Sequence, residues 1–198
     1  MPIVDGREYR SFELAIQPAQ VEEETSYIVE GYATTFNESY SMGGGYFERI
    51  DAHAIDGADM SDVIFQLNHE GMVFARLRNN TLSLLVDEHG LKVRADIGGC
   101  QQGRELAEGI RNGLIDRMSW GFTVAPDGWD YDPITRTSTI TKIEKIFDVS
   151  AVSIPANDGT EIHSRSYLDG VIESERKEFA QREEMEERAR IATALELY

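Results

Sequence analysis

The chain has 198 residues, of which 41% are hydrophobic, and 36 acidic residues against 19 basic ones give a formal net charge of −17. This length and composition fit one domain of moderate size plus an extension, and the negative charge excludes nucleic acid and anionic membranes as favoured partners. The N-terminus lacks a cationic start followed by an apolar run, and no stretch of about 18 apolar residues occurs, so we expect a cytosolic protein without a membrane segment. Cys100 is the single cysteine, which rules out a disulfide within the chain.

Strand patterns dominate the first hundred residues. Residues 9–16 and 26–36 are rich in β-branched and aromatic side chains and are separated by a polar, acidic link. In the segment VIFQLNHE, every second residue from Val63 to His69 shares one face of a predicted strand, with His69 at its end. The segment TLSLLVDEHGLKVRADI predicts a β-hairpin whose turn covers residues 87–90.

The second half begins with a helix pattern and then returns to strands. In QQGRELAEGIRNGLI, apolar residues recur at helical intervals up to Leu114, and Gly113 marks the expected end. RMSWGFTV, residues 117–124, alternates like a half-buried strand, which puts Ser119 on the face opposite the apolar side chains. The serine is therefore either an ordinary solvent-facing residue or one presented to a ligand. Residues 138–157 form a further β-rich stretch that ends at proline and asparagine.

The tail has a different composition. From Val171 onward the chain has no proline or glycine, is dominated by strong helix formers and mixes both signs of charge. We expect a long, exposed helix there.

Acyl-transfer chemistry needs a nucleophile, a base within hydrogen-bond reach and a group that orients the base. The candidates are Ser119, His69, and either Asp148 or Glu144 from the IEKIFDVS segment. Gly121 lacks a side chain, which would leave room beside the serine for a substrate backbone. Taken singly, each of these residues favours an ordinary structural role.

Other reactive residues give weaker patterns. Cys100 follows two glycines and precedes the predicted helix, whose N-terminus would favour a thiolate that could pair with His69; a small buried side chain is the commoner role for such a cysteine. Three further histidines lack ligand spacing, so we expect no metal site at His53, His89 or His163. The triple glycine 43–45 lacks the GK[ST] ending of a phosphate loop, and we expect no nucleotide or other cofactor.

Four segments in order resemble the motifs of the tailed-bacteriophage prohead proteases. They are FERIDAHAI, the strand ending in NHE, GLIDRMSWGF and FDVSAVSIPAN, and the resemblance covers roughly residues 26–160. Four ordered segments are far more specific than any single motif. Such a family implies a serine peptidase, distantly similar to the herpesvirus assembly proteases, that acts inside the immature capsid.

The resemblance assigns roles to individual residues. It implies that Ser119 is the nucleophile and His69 the general base. The herpesvirus relatives carry a third member, a histidine, on the strand after the serine, and this chain has Asp148 at that place, with Glu144 as the alternative. The oxyanion donors of those relatives lie in the loop after that strand, which corresponds to residues 157–159.

We therefore expect an α+β fold, a small closed or nearly closed β-barrel flanked by helices, with a prohead protease domain over residues 1–165 and a charged helical tail over residues 166–198. The expected activity is a serine endopeptidase that cleaves the major capsid protein and its scaffold segment inside the prohead, in the host cytoplasm, and that also cleaves itself. A homo-oligomer is possible. Two alternatives stay open: a non-enzymatic scaffolding or capsid-interaction protein, and a cysteine hydrolase that uses Cys100.

Overall fold

The computed structural model describes residues 7–15, 17–18 and 27–153, together with residues 170, 173, 174, 177, 180–182 and 185 of the tail. The chain divides into two compact units, Met1–Ile162 and His163–Tyr198. The elements of the described part, in chain order, are β1 (Glu8–Ala15), β2 (Gln17–Pro18), β3 (Ile28–Thr35), β4 (Ser39–Gly43), β5 (Tyr46–Ile50), β6 (Ile64–Leu67), β7 (Glu70–Arg76), a 3₁₀ turn (Leu77–Asn79), β8 (Leu82–Val86), β9 (Gly90–Asp96), α1 (Gln101–Arg111), β10 (Arg117–Val124), β11 (Trp129–Asp132), β12 (Thr137–Ile140) and β13 (Ile143–Val152).

The described strands form three sheets. A five-stranded sheet has the order β1, β10, β13, β6, β7, and two four-stranded sheets have the orders β11, β12, β5, β4 and β2, β3, β9, β8. Two pairs are parallel, β13 with β6 and β12 with β5. Within residues 7–15, 17–18 and 27–153, no sheet closes on itself, so the expected closed or nearly closed barrel is not confirmed. The described part is β-rich with few helices, in keeping with the expected α+β class. Strand alternation marks which residues face a core, but it does not determine which edges pair, and here each sheet keeps two edges.

All three sheets contribute side chains to one buried core. The largest fully buried apolar side chains come from β5, β6, β9, β10, β12 and β13 and from two of the connections: Ile50, Ile55, Phe65, Leu91, Ile97, Met118, Trp120, Phe122, Ile140, Ile143 and Ile146. The centre of the five-stranded sheet is the most deeply buried part, since five successive residues of β10, from Met118 to Phe122, are all buried. A hydroxyl buried on this strand, such as that of Ser119, is therefore expected to have a hydrogen-bond partner inside the protein.

Several predicted elements are confirmed and others need correction. The β8–β9 hairpin is present, with its turn between Val86 and Gly90. The predicted helix is α1, which ends at Arg111, so Leu114 lies beyond it and is 75% exposed instead of extending the apolar face. The β-rich stretch of residues 138–157 is divided between β12 and β13, which lie in different sheets, and residues 154–157 lie outside the described part.

The predicted flanking helices are reduced to α1 within residues 27–153. In the tail, the residues that the structure describes have helical backbone. Most of residues 171–198 are not among them, so the long tail helix stays a prediction. Among the described residues, no helix is long and apolar enough to span a bilayer.

Candidate active site

Ser119 lies in the middle of the five-stranded sheet. Its strand, β10, is paired on one side with β1 and on the other with β13, in a register that places Ser119 opposite Ser11 and Ser150. The residue is only 1% exposed. The solvent-facing alternative for this serine is therefore wrong, because both edges of β10 are occupied and both of its faces are covered.

His69 lies in a turn, and its predicted position on the face of a strand is wrong. Strand β6 ends at Leu67 and β7 begins at Glu70, which leaves Asn68 and His69 as a two-residue hairpin loop. Their φ angles are +53° and +59°, the left-handed values that a type I′ turn requires at both central positions. Asn and His are among the non-glycine residues that tolerate this conformation best.

The turn is anchored to the end of β13. The Asn68 backbone N–H donates to the Ala151 carbonyl at 2.9 Å. The Asn68 side-chain oxygen accepts from the Ser153 N–H at 3.0 Å and from the Ser153 hydroxyl at 3.2 Å. These bonds hold the backbone that carries the imidazole against the strand that carries Asp148.

A continuous hydrogen-bonded chain joins Ser119, His69 and Asp148. His69 Nε2 lies 2.6 Å from Ser119 Oγ, and His69 Nδ1 is bonded to Asp148 Oδ1. The His69 and Asp148 side chains are each 4% exposed. An imidazole that carries its proton on Nδ1 donates to Asp148, and its Nε2 can then accept the serine proton. This is the geometry that a base-activated nucleophile needs.

Asp148 accepts a second hydrogen bond, and its carboxylate occupies the space beside a glycine. The Ser150 hydroxyl, fully buried, donates to Asp148 Oδ1 at 3.0 Å. Gly121 pairs with Asp148, and a Cβ at Gly121 would overlap Asp148 Oδ2 and lie 2.8 Å from Tyr9 Cε1. The glycine therefore makes room for the carboxylate and the Tyr9 ring, and the expectation that it also leaves room for a substrate backbone stays a prediction. We call Ser119, His69, Asp148 and Ser150 the serine cluster.

The alternative acid lies elsewhere. Glu144 is exposed near the start of β13, where its carbonyl accepts from the Asp59 N–H. An irregularity in the β10–β13 register separates this part of the strand from Asp148, so simple alternation does not continue between them. The structure brings Asp148 to His69 and leaves Glu144 at the surface.

Strand β1 covers the serine cluster, which the sequence did not indicate. The Arg10 carbonyl accepts a hydrogen bond from Ser119 Oγ at 2.8 Å. The Tyr9 ring packs edge-on against the His69 ring, with 4.5 Å between centroids. Residues 9–16 have the composition of an ordinary strand, and no local signal marks Tyr9 or Arg10 as neighbours of the site.

The side chain of Arg10 belongs to a second buried group, which we call the arginine cluster: Glu8, Arg10, Tyr40 and Glu48. The guanidinium Nη2 lies 2.8 Å from Glu48 Oε2 and 2.5 Å from Glu8 Oε2, and the Tyr40 hydroxyl donates to Glu48. Arg10 and Glu48 are each 2% exposed. Burial alone would lower the pKa of Arg10, but the charge of Glu48 holds it well above its ordinary value. Burial, and then the charge of Glu48, raise the pKa of Tyr40.

Cys100 has a structural role in the described part. Its Sγ accepts from the Gly103 N–H at 3.3 Å and caps the N-terminus of α1, and it lies 3.7 Å from Met72 Sδ. Since both ring nitrogens of His69 are bonded to Ser119 and Asp148, the structure does not form the Cys100–His69 pair.

The other candidates give no site in the described part of the chain. His53 bonds to Asp56 at the surface, and His89 packs against Tyr32. No group of three or more potential metal ligands occurs among the residues that the structure describes. His163 and the expected oxyanion loop at residues 157–159 lie outside the described residues.

Comparison with known proteins bears on what this geometry does. A family model for the caudovirus prohead serine protease matches residues 14–173. The chain belongs to this family. The prohead protease of Enterobacteria phage HK97 is 29% identical over 145 residues, which are 73% of this chain and 62% of that relative. The chain thus spans less than two thirds of the relative's length. No solved structure gives a significant match. The predicted resemblance to prohead proteases is confirmed.

Proposed function

We propose that this prohead protease family member is a serine endopeptidase of capsid maturation, with Ser119 as nucleophile, His69 as general base and Asp148 as the residue that orients and stabilises the imidazole. The observation that carries the proposal is the chain of hydrogen bonds from Ser119 Oγ through His69 to Asp148. The domain that performs the reaction is the one expected over residues 1–165.

The reaction follows from these contacts. Ser119 Oγ attacks the carbonyl carbon of a peptide bond while its proton passes to His69 Nε2, and the imidazolium that forms is stabilised by the Asp148 carboxylate. The C–N bond then breaks, and the leaving amine takes the proton from Nε2. A water molecule, deprotonated by the same nitrogen, hydrolyses the acyl-enzyme and restores the serine.

The proposed substrate is the major capsid protein with its scaffold segment, inside the assembling prohead in the host cytoplasm, together with the protease chain itself. The family and the name of the HK97 relative support an association with capsid proteins. A homo-oligomer inside the prohead is part of the same proposal. The net charge of −17 supports the expectation that nucleic acid is not a partner.

The test is co-expression of the full chain with the phage's major capsid protein, followed by mass spectrometry of the capsid protein. We expect processing by the wild type and none by Ser119→Ala, because removing a triad member typically costs several orders of magnitude in rate. Cys100→Ser is the matched control and should process normally, since serine is also a good helix N-cap.

The opposite results identify the alternatives. If Ser119→Ala still processed the capsid protein and Cys100→Ser did not, the protein would be a cysteine hydrolase. Incorporation of both variants into proheads without cleavage by any form, including the wild type, would favour a scaffolding protein.

A further inference from the structure

The nucleophile cannot be reached by a substrate while β1 is in place. Ser119 is 1% exposed, and its hydroxyl carries one hydrogen but has two acceptors, the Arg10 carbonyl at 2.8 Å and His69 Nε2 at 2.6 Å. A hydroxyl donates one hydrogen at a time, so the carbonyl competes with the base for the proton that catalysis requires. Hydrolysis therefore needs β1 to leave β10.

Strand β1 is suited to leave because it is an edge strand among the strands that the structure describes. It lies at the end of the five-stranded sheet and pairs antiparallel with β10, from Glu8 opposite Phe122 to Ala15 opposite Arg117. The family model begins at residue 14, so most of β1 precedes the matched region. Its departure would give the nucleophile strand an unpaired edge, the feature to which extended peptides bind by adding a strand.

The arginine cluster specifies what must replace β1. Within one residue, Arg10 presents its carbonyl to Ser119 and its guanidinium to Glu48. Glu48 is 2% exposed, and a carboxylate that remains buried without its cation is strongly unfavourable. A strand that displaces β1 neutralises the buried charge of Glu48 only if it brings a positively charged side chain to the same place.

Building on the proposed function, we propose that β1 holds the place of the substrate. An extended peptide displaces β1, pairs antiparallel with β10 and sets a lysine or arginine against Glu48 and Tyr40. The carbonyl of that basic residue lies at Ser119, and the peptide bond that follows it is the one broken: its acyl part passes to Ser119 Oγ and its amine leaves with the proton from His69. Until then β1 keeps the protease latent.

The first test locks β1 to β10. The paired residues Ala15 and Arg117 are changed to cysteine in a Cys100→Ser background. Paired Cα atoms of antiparallel strands lie about 4.5–5.5 Å apart, within the range that a disulfide spans. We expect the oxidised protein to lose at least a hundredfold of both peptide hydrolysis and fluorophosphonate labelling of Ser119, and a reductant to restore both. A matched disulfide between positions 85 and 92 of the β8–β9 hairpin should change neither.

The second test uses the wild-type full chain and fluorogenic peptides based on residues 8–15, in which the arginine is kept or replaced by lysine, glutamine, leucine or glutamate. We expect cleavage after arginine and lysine to exceed cleavage after the other three at least a hundredfold in kcat/KM. Equal cleavage of all five peptides would overturn the proposed specificity, and a locked protein as active as its reduced form would overturn the displacement of β1. A reduced protein that neither hydrolyses peptides nor reacts with the probe would overturn the proposed function and this inference with it.

Discussion

The serine cluster and the arginine cluster are both buried, but they balance charge differently. Arg10 links them, because its side chain belongs to the arginine cluster and its carbonyl accepts from Ser119. The serine cluster sets one carboxylate, Asp148, against an imidazole, which can accept a proton at one ring nitrogen while it donates from the other. The arginine cluster sets two carboxylates against a guanidinium, which keeps its proton under all ordinary conditions. One cluster can therefore move a proton, while the other fixes the position of β1. Their dependence on single substitutions should differ accordingly.

The largest expected effect is on catalysis, from the carboxylate of the serine cluster. Asp148→Asn should lower kcat about 10⁴-fold, because an amide in place of the carboxylate favours the wrong imidazole tautomer. Glu144→Gln removes the same charge from the exposed part of the same strand and should change kcat little. Steady-state hydrolysis of a peptide substrate by the two variants measures the contrast. A severe defect in Glu144→Gln alone would transfer the orienting role to Glu144.

The next largest effect is on stability, from the arginine cluster. Glu48→Gln leaves the Arg10 guanidinium buried without its main partner, and we expect a loss of about 3–5 kcal/mol in the free energy of unfolding. The matched control is Asp127→Asn, which breaks the exposed pair with Lys142 and should change the unfolding midpoint little. Urea denaturation of both variants provides the comparison. Equal midpoints would mean that the arginine cluster does not hold β1 in place.

A smaller effect tests how tightly the serine cluster is packed. In Gly121→Ala the new methyl overlaps Asp148 Oδ2 and the Tyr9 ring, so we expect a loss of about 1–3 kcal/mol in stability and a fall of about a hundredfold in kcat as the carboxylate shifts. Gly57→Ala adds the same methyl where nothing lies within 4 Å, and it should behave like the wild type. Retained activity in Gly121→Ala would show that the carboxylate has room to move.

The smallest effect is a pH dependence from an ion pair outside both clusters. Hydrogen bonding to Arg76 holds the pKa of Asp62 below its ordinary value of 3.8, despite the opposing effect of burial. A lowered carboxyl pKa stabilises the fold above the unfolded value, and this contribution is lost as pH falls through the lower folded value. The free energy of unfolding should therefore fall less steeply below pH 3.8 in Asp62→Asn than in the wild type. Arg76→Gln should reproduce that change, and an unchanged slope would contradict it.

The parts of the fold that were predictable are those with local signals. The β8–β9 hairpin has a turn that Asp87 organises by accepting from the His89 and Gly90 N–H groups, and its strands are close in sequence. The parallel pairing of β13 with β6 joins residues about 80 positions apart, such as Ala151 and Leu67, and no local pattern encodes it. The expected closed or nearly closed barrel is not confirmed for the same reason, because strand pairing depends on the whole chain and not on local patterns.

The identities of the candidate site residues were predictable from the ordered motifs. Their burial and backbone conformation, which depend on the three-dimensional fold, were not. The resemblance pointed to Ser119, His69 and Asp148, which the structure brings into hydrogen-bond contact. The environments were less predictable. Alternation left open a solvent-facing serine and placed the histidine on the face of a strand, because a central strand covered on both faces and a two-residue turn without glycine both look like ordinary strands in the sequence. Tyr9 was missed because nothing in its own segment encodes a contact with His69.

The two-residue turn that carries His69 does not accommodate changes in chain length. Only two residues join β6 to β7, and both already have left-handed backbone. One inserted residue would reset the register of the hairpin and rotate alternate side chains to the opposite face. We therefore expect length variation among relatives, and tolerated sites for engineered tags, to concentrate elsewhere, for example in the exposed 133–136 connection, while the spacing from Leu67 to Glu70 stays constant.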